Sequence, residues 1–166
     1  MTKELLHIKA EFNENAANFV EWYALDQETL RRAQLWQGQQ KETPTARAFS
    51  DWIAANGGRR DRADGPAYIE TRPDGRRREE WYSQDQLDRA DGPAIIETET
   101  DGRRREAWYS HGQLDRADGP AIIATGMDGS RYEAWYNHGE FIKEETVADP
   151  SNIPGISVFP ASPSGP

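Results

Sequence analysis

The sequence predicts an α+β protein: a small helical N-terminal cap, an elongated antiparallel sheet of β-hairpin repeats, and a flexible C-terminal tail. Three observations carry this. A 27-residue unit recurs as Asp61–Leu87, Asp88–Leu114 and Asp115–Phe141, each copy opening DRADGPA. A fixed period of that size marks a repeat architecture, in which each unit packs mainly on its neighbours. Asp-Gly and His-Gly pairs then punctuate each unit where hairpin turns belong, and apolar residues before the repeats recur at helical spacing.

Along residues 1–12, Leu6, Ile8, Ala10 and Phe12 alternate with His7, Lys9 and Glu11, which reads as a strand, with a first helical turn as the alternative. In residues 14–25, Ala16, Phe19, Val20 and Tyr23 lie at helical spacing and predict a helix. Asp26 can cap a second helix, QETLRRAQLWQG, which Gly38 would stop. Thr43-Pro44 suits the N-cap and first position of a third helix. Its apolar stripe is Ala46, Phe49, Trp52 and Ile53, and Gly57-Gly58 end it. Residues 1–58 thus read as a helical cap that covers one open end of the repeat sheet.

Each unit in 59–141 then runs strand, turn, strand, second turn and return. Asp-Gly is a strong two-residue hairpin signal, because both central residues of a type I′ turn need positive φ. A two-residue Asp74-Gly75 turn sets Tyr68 opposite Trp81 and Ile69 opposite Glu80, with Ile95 and Trp108, and Ile122 and Trp135, as the equivalents. A three-residue bulged loop would shift that register. His111 and His138 sit in the second turns, where they substitute for Asn at positive φ. After Phe141 the periodicity stops. Residues 142–166 read as a Pro/Ser-rich tail in which Ile156–Phe159 can add a short strand.

Composition bounds the function. The net charge is −9 and no segment is basic overall: residues 1–58 carry 6 basic and 8 acidic groups, 59–141 carry 13 and 18, and 142–166 carry 1 and 3. That disfavours wrapping around duplex nucleic acid and attracts a partner with a basic surface. The absence of cysteine excludes disulfides and thiolate metal sites and fits a cytoplasmic setting. No apolar run reaches the length of a membrane span, so no membrane partner is expected.

The unit built from DG, WY, a second turn and DGPA resembles the MORN-variant repeats common in small bacterial and phage proteins. The resemblance covers 61–141, about half the chain. It implies a protein-binding module, including antitoxin-type proteins. The unit here is longer than the standard MORN pattern and lacks its G-x-G run, so the lipid binding suggested for MORN proteins is not carried over.

Read bottom-up, the repeats offer two kinds of contact residue. Trp81, Trp108 and Trp135 occur once per unit, as do Tyr82, Tyr109 and Tyr136. Trp, Tyr and Arg dominate interface hot spots. The predicted protein-binding set is these six aromatics with Arg77, Arg104 and Arg131, the tyrosines and arginines being the exposed members. Arg76–Arg78 and Arg103–Arg105 beside aromatics also admit a nucleic-acid reading. Glu70, Glu79, Glu97, Glu99 and Glu106 lie close enough to neutralise them, and the third unit loses the run. The Asp61/Asp64, Asp88/Asp91 and Asp115/Asp118 pairs supply too few oxygens for calcium. The expected roles are Asp64 capping its turn and Asp61 pairing with Arg62 or an arginine of the next unit. No nucleophile, phosphate-loop or metal motif is present, so the chain reads as no enzyme and as needing no cofactor. Self-association is compatible with such an array.

Overall fold

The structure is a computed structural model that describes residues 4–148. In chain order the elements are β1 (Leu6–Glu14), β2 (Ala17–Leu25), α1 (Gln27–Gln39), α2 (Ala46–Ala55), β3 (Arg59–Arg60), β4 (Tyr68–Thr71), β5 (Arg77–Glu80), β6 (Tyr82–Ser83) and β7 (Gln86–Leu87). They continue as β8 (Ile95–Thr98), β9 (Arg104–Ala107), β10 (Tyr109–Ser110), β11 (Gln113–Leu114), β12 (Ile122–Thr125), β13 (Arg131–Asn137) and β14 (Glu140–Val147). The main sheet is antiparallel in the order β1-β2-β4-β5-β8-β9-β12-β13-β14, with β3 also on β2. The α+β class expected from the sequence therefore stands. No helix among the described residues is long and apolar enough to cross a membrane.

The N-terminal third differs from its expected helices. Residues 17–25 form strand β2, paired along its whole length with β1. Asn15 and Ala16, both at positive φ, make the two-residue turn between them. The helical spacing of Ala16, Phe19, Val20 and Tyr23 was accidental. The true alternation is Phe19, Glu21, Tyr23 and Leu25, hidden because Glu21 is a carboxylate buried on the core side. Asp26 does cap α1, accepting from the Thr29 N–H at 2.7 Å. Gly38 does not stop it, for the helix runs through to Gln39. The cap of α2 is Thr45, two residues beyond the expected Thr43, with its hydroxyl accepting from the Ala48 N–H. Glu14, at the hairpin turn, accepts from the Ala46 N–H and ties β1 to α2.

The two helices cover β1 and β2. Tyr23, Leu25, Ala33, Phe49 and Ile53 form the core there, flanked by Ile8, Phe12, Trp36 and Trp52. Beyond β2 the sheet carries no helix among the described residues.

The hairpin loops also shift from the expected register. Arg72 N–H donates to Arg76 O, and Gly75 N–H to Arg72 O, both at 2.9 Å. Only Gly75 has positive φ, at +86°. This is a three-residue loop closed by a glycine bulge, not a type I′ turn. Tyr68 therefore faces Glu80 rather than Trp81, and Ile69 faces Glu79; Ile95 and Ile122 face Ala107 and Ala134. Asp64-Gly65 and its equivalents are not hairpin turns, since Gly65, Gly92 and Gly119 lack positive φ. The type I′ turns are instead at Gln84-Asp85, His111-Gly112 and His138-Gly139, which keep the positive φ expected for the histidines. Residues 142–147 also depart from the expected tail, completing with Glu140 and Phe141 the strand β14 on β13. Its charged Glu140, Lys143, Glu144 and Glu145 and its bulge at Trp135/Tyr136 are the usual protection of an open edge. Ile156–Phe159 lie outside the described residues.

Candidate protein-binding surface

Strand alternation sorts the candidate residues onto two faces. On one face a row crosses the sheet as Thr71, Arg77, Thr98, Arg104, Thr125 and Arg131, each directly opposite the next. Beside it runs Ile69, Glu79, Ile96, Glu106, Ile123 and Glu133. In β2 and β13, Trp22 and Trp135 share this face, while Tyr23 and Tyr136 point to the other. The expected set is thus split: arginines and tryptophans stand on one face and the tyrosines on the opposite one.

Arg77, Arg104 and Arg131 are exposed, as expected. None is a free cation. Each bonds a glutamate two residues on: Glu79 at 2.7 Å, Glu106 at 2.8 Å and Glu133 at 2.5 Å. Arg77 and Arg104 also reach the Thr71 and Thr98 hydroxyls. The row therefore presents bonded Arg–Glu pairs.

The tryptophans are half-buried under cations. Arg62 lies 3.9 Å from the Trp22 ring centre, Arg89 4.0 Å from Trp81, Arg116 4.0 Å from Trp108, and Lys143 4.1 Å from Trp135. Each of these arginines donates Nε to the aspartate two residues on and Nη1 to a proline carbonyl. Its far side rests on glycine. A Cβ on Gly65, Gly92 or Gly119 would come within 2.8–3.1 Å of the guanidinium carbon. This explains why DRADGPA is invariant among the units. It also corrects the aspartate roles. Asp64 holds Arg62. Asp88 and Asp115 accept the His111 and His138 N–H groups of the next turn. Asp61 lies 3.7 Å from His7.

The tyrosine face differs between its ends. Its row reads Glu21, Tyr68, Glu80, Ile95, Ala107, Ile122 and Ala134. Tyr82, Tyr109 and Tyr136 are all half-buried, against the expectation that they are exposed. Tyr82 donates to Glu80 at 2.7 Å, and Tyr136 meets Phe141 edge-on at 5.5 Å. Where the helices meet the repeats, Arg60 donates to buried Glu21 at 2.7 Å and to Ser50 at 2.9 Å. It lies 5.5 Å from both the Tyr68 and Tyr82 rings. Burial, then the Glu80 charge, pushes the Tyr82 phenol well above its ordinary range, and burial with Glu70 does the same to Tyr68. Burial is the largest single influence on Arg60 and opposes its protonation, but the Glu21 carboxylate with Tyr23 and Tyr82 together outweigh it and raise its pKa.

Arg60, Glu21 and Tyr68 were absent from the expected set. A signal existed: Glu21-Trp22-Tyr23 repeats Glu80-Trp81-Tyr82. The backbone agrees. Trp22, Trp81 and Trp108 N–H donate to Ala67, Ala94 and Ala121 O, all at 2.8 Å. Strand β2 therefore stands where β5 and β9 stand later, and α1 and α2 occupy the place of a second turn.

One stability prediction arises here. Trp108→Ala should cost about 2 kcal/mol, from a half-buried ring plus its cation contact. Tyr109→Ala, which has no such clamp, should cost about 1 kcal/mol. Urea unfolding of both variants checks the order.

No family model matches this chain, and no curated protein matches it.

Proposed function

We propose that the protein is a non-enzymatic, cytoplasmic protein-binding repeat module: three MORN-like hairpin units on an N-terminal cap. By its resemblance it acts as an antitoxin-type protein or a phage-borne inhibitor that binds and blocks a bacterial defence protein. The observation that supports this is the face carrying Arg77, Arg104 and Arg131. It is a row of exposed side chains in strict register, uncovered by helices and flanked by tryptophans fixed under cations. Such pre-ordering lowers the entropy cost of association. The net charge of −9 favours a partner with a basic surface.

Affinity capture with the tagged full chain, followed by mass spectrometry, tests it. One protein should be retained at stoichiometric yield. The triple variant Arg77→Ala, Arg104→Ala, Arg131→Ala should lose it while melting within a few degrees of wild type, at about 2 kcal/mol of affinity per anchor. Capture that survives all three substitutions rejects this face. Turnover of a small molecule without any stoichiometric partner rejects the function. The nucleic-acid alternative is weakened by the Arg–Glu pairing, because each arginine already has a carboxylate. No shift of single- or double-stranded DNA or RNA is expected in low-salt gels.

A further inference from the structure

The first repeat unit departs from the second at Tyr68, Arg72, Pro73, Glu80, Gln84 and Asp85, where Ile95, Glu99, Thr100, Ala107, His111 and Gly112 stand. These differences are not scattered. Tyr68, Arg72 and Glu80 line one cavity of about 430 Å³, together with Arg60, Arg76 and Arg78. That volume falls within the size range of small-ligand pockets.

Part of the departure answers the helix junction. Tyr68 flanks Arg60, Glu80 bonds the Tyr82 that flanks it, and Asp85 exchanges hydrogen bonds with the Arg60 backbone. Arg72 does not touch that junction. Among the described residues its side chain bonds Glu70 alone, through Nε, whereas the counterpart Glu97 is held by Arg78 and Arg105. Arg72 faces Arg76 across the Pro73–Gly75 loop through their backbones. Each guanidinium commits its Nε, to Glu70 and to Asp74 at 2.7 Å. Their terminal nitrogens bond nothing among the described residues.

Charge in the cavity is sorted by depth. The Arg72 and Arg76 side chains are 47% and 43% exposed, whereas Glu70 and Glu80 are 13% and 9% exposed. Glu97, on the far wall, is held by Arg78 and Arg105. Glu99 is the exposed carboxylate there, 3.9 Å from Arg76. An incoming group therefore meets guanidinium edges before the buried carboxylates. Arg60 also lines the cavity, and its Nε is buried without a hydrogen-bond partner among the described residues. Planar guanidinium forks grip tetrahedral oxyanions through paired N–H bonds. We propose that this cavity is an oxyanion site that takes the phosphate group of a small ligand, gripped by Arg72 and Arg76 and backed by Arg60 and Arg78.

Titration calorimetry on the full chain, with inorganic phosphate and with acetate at matched ionic strength, tests this. Phosphate should bind saturably at one site per chain, with acetate at least tenfold weaker. Arg72→Glu and Arg76→Ser should each weaken phosphate at least tenfold. The scaffold already carries those residues at Glu99 and Ser130, so both variants should stay folded, with melting without phosphate lowered by a few degrees at most in Arg72→Glu, which loses the Glu70 ion pair. Arg103→Ser, which removes the matching arginine of the second unit, should leave affinity within twofold. Absence of saturable binding at millimolar phosphate overturns the proposal. So does equal affinity for acetate, or an equal loss in Arg72→Glu and Arg103→Ser.

Discussion

Arg60→Ala is expected to destabilise the protein by about 3–5 kcal/mol, the cost of leaving a buried carboxylate without its counter-ion. Glu21 is almost wholly buried in the strand row and has Arg60 as its ion-pair partner. Its remaining contact is the Tyr23 hydroxyl, which also donates to it. Without Arg60 the carboxylate must ionise in a poorly solvated site or take up a proton, and both lower stability. Arg60 also joins three parts of the molecule: β2 through Glu21, α2 through Ser50 and the first repeat through Tyr68 and Tyr82. The expected fall in melting temperature is on the order of 10 °C for a chain of this size. Calorimetric melts of Arg60→Ala beside Arg59→Ala, an exposed neighbour, measure it. Equal melting temperatures for the two variants would show that Glu21 is solvated or protonated in the folded protein.

The repeat region was legible because its signals are local. The 27-residue period, the WY pair, the glycine spacing and the positive φ at His111 and His138 all follow from residues close in sequence. The loop type was not legible, because Asp-Gly serves both a type I′ turn and a bulged three-residue loop. A one-residue change there moved every cross-strand partner. The cation–tryptophan clamps left a trace that went unread: Trp81 to Arg89, Trp108 to Arg116 and Trp135 to Lys143 are all eight residues apart. At the N-terminus that interval is interrupted, since α1 and α2 lie between Trp22 and Arg62. The same insertion hid the kinship of β2 with the later strands. Burial of Glu21 removed the apolar alternation that would have announced a strand. The Arg60 cluster was illegible for a related reason. Its members come from β2, β3, β4, β5 and β6, and only the fold brings them together.

Within the repeats, identity and variation have different physical causes. Most of DRADGPA answers a geometric demand: the aspartate that caps a neighbouring turn, the arginine on its tryptophan, the glycine beneath that arginine, the proline whose carbonyl accepts from it, and the final alanine with no exposed surface. On the strands, the arginine-face positions Ile69, Thr71, Arg77 and Glu79 keep the same residue types in all three units, and the variation falls on the tyrosine face, at Tyr68, Glu70, Arg78, Glu80 and their counterparts. A face that repeats one contact keeps the same side chain in every unit, as Arg77, Arg104 and Arg131 do, whereas a feature peculiar to one place is sought where the units differ.

That logic yields the last prediction. The third unit shows how the same fold manages without ions at the row that holds Glu21, Tyr68 and Glu80: Ala107, Ile122 and Ala134 stand there, with Leu114 at the place of Arg60. Arg60→Leu alone should cost about 3–5 kcal/mol, again by stranding Glu21. Combining it with Glu21→Ala, Tyr68→Ile and Glu80→Ala removes both buried carboxylates of the row together with the missing cation. Replacing a whole buried ionic group by well-packed apolar residues is often neutral or stabilising. The quadruple variant should therefore recover to within about 1 kcal/mol of wild type, a strong departure from additivity. Arg78 keeps Glu97, as Arg105 does in the next unit, and the Tyr23 hydroxyl keeps Ser50. Urea unfolding of the four single variants and the quadruple gives the coupling directly. If the quadruple variant falls by the sum of the singles, the cluster is held by shape rather than charge, and the junction between helices and repeats needs the side-chain volumes of Arg60 and Tyr68 themselves.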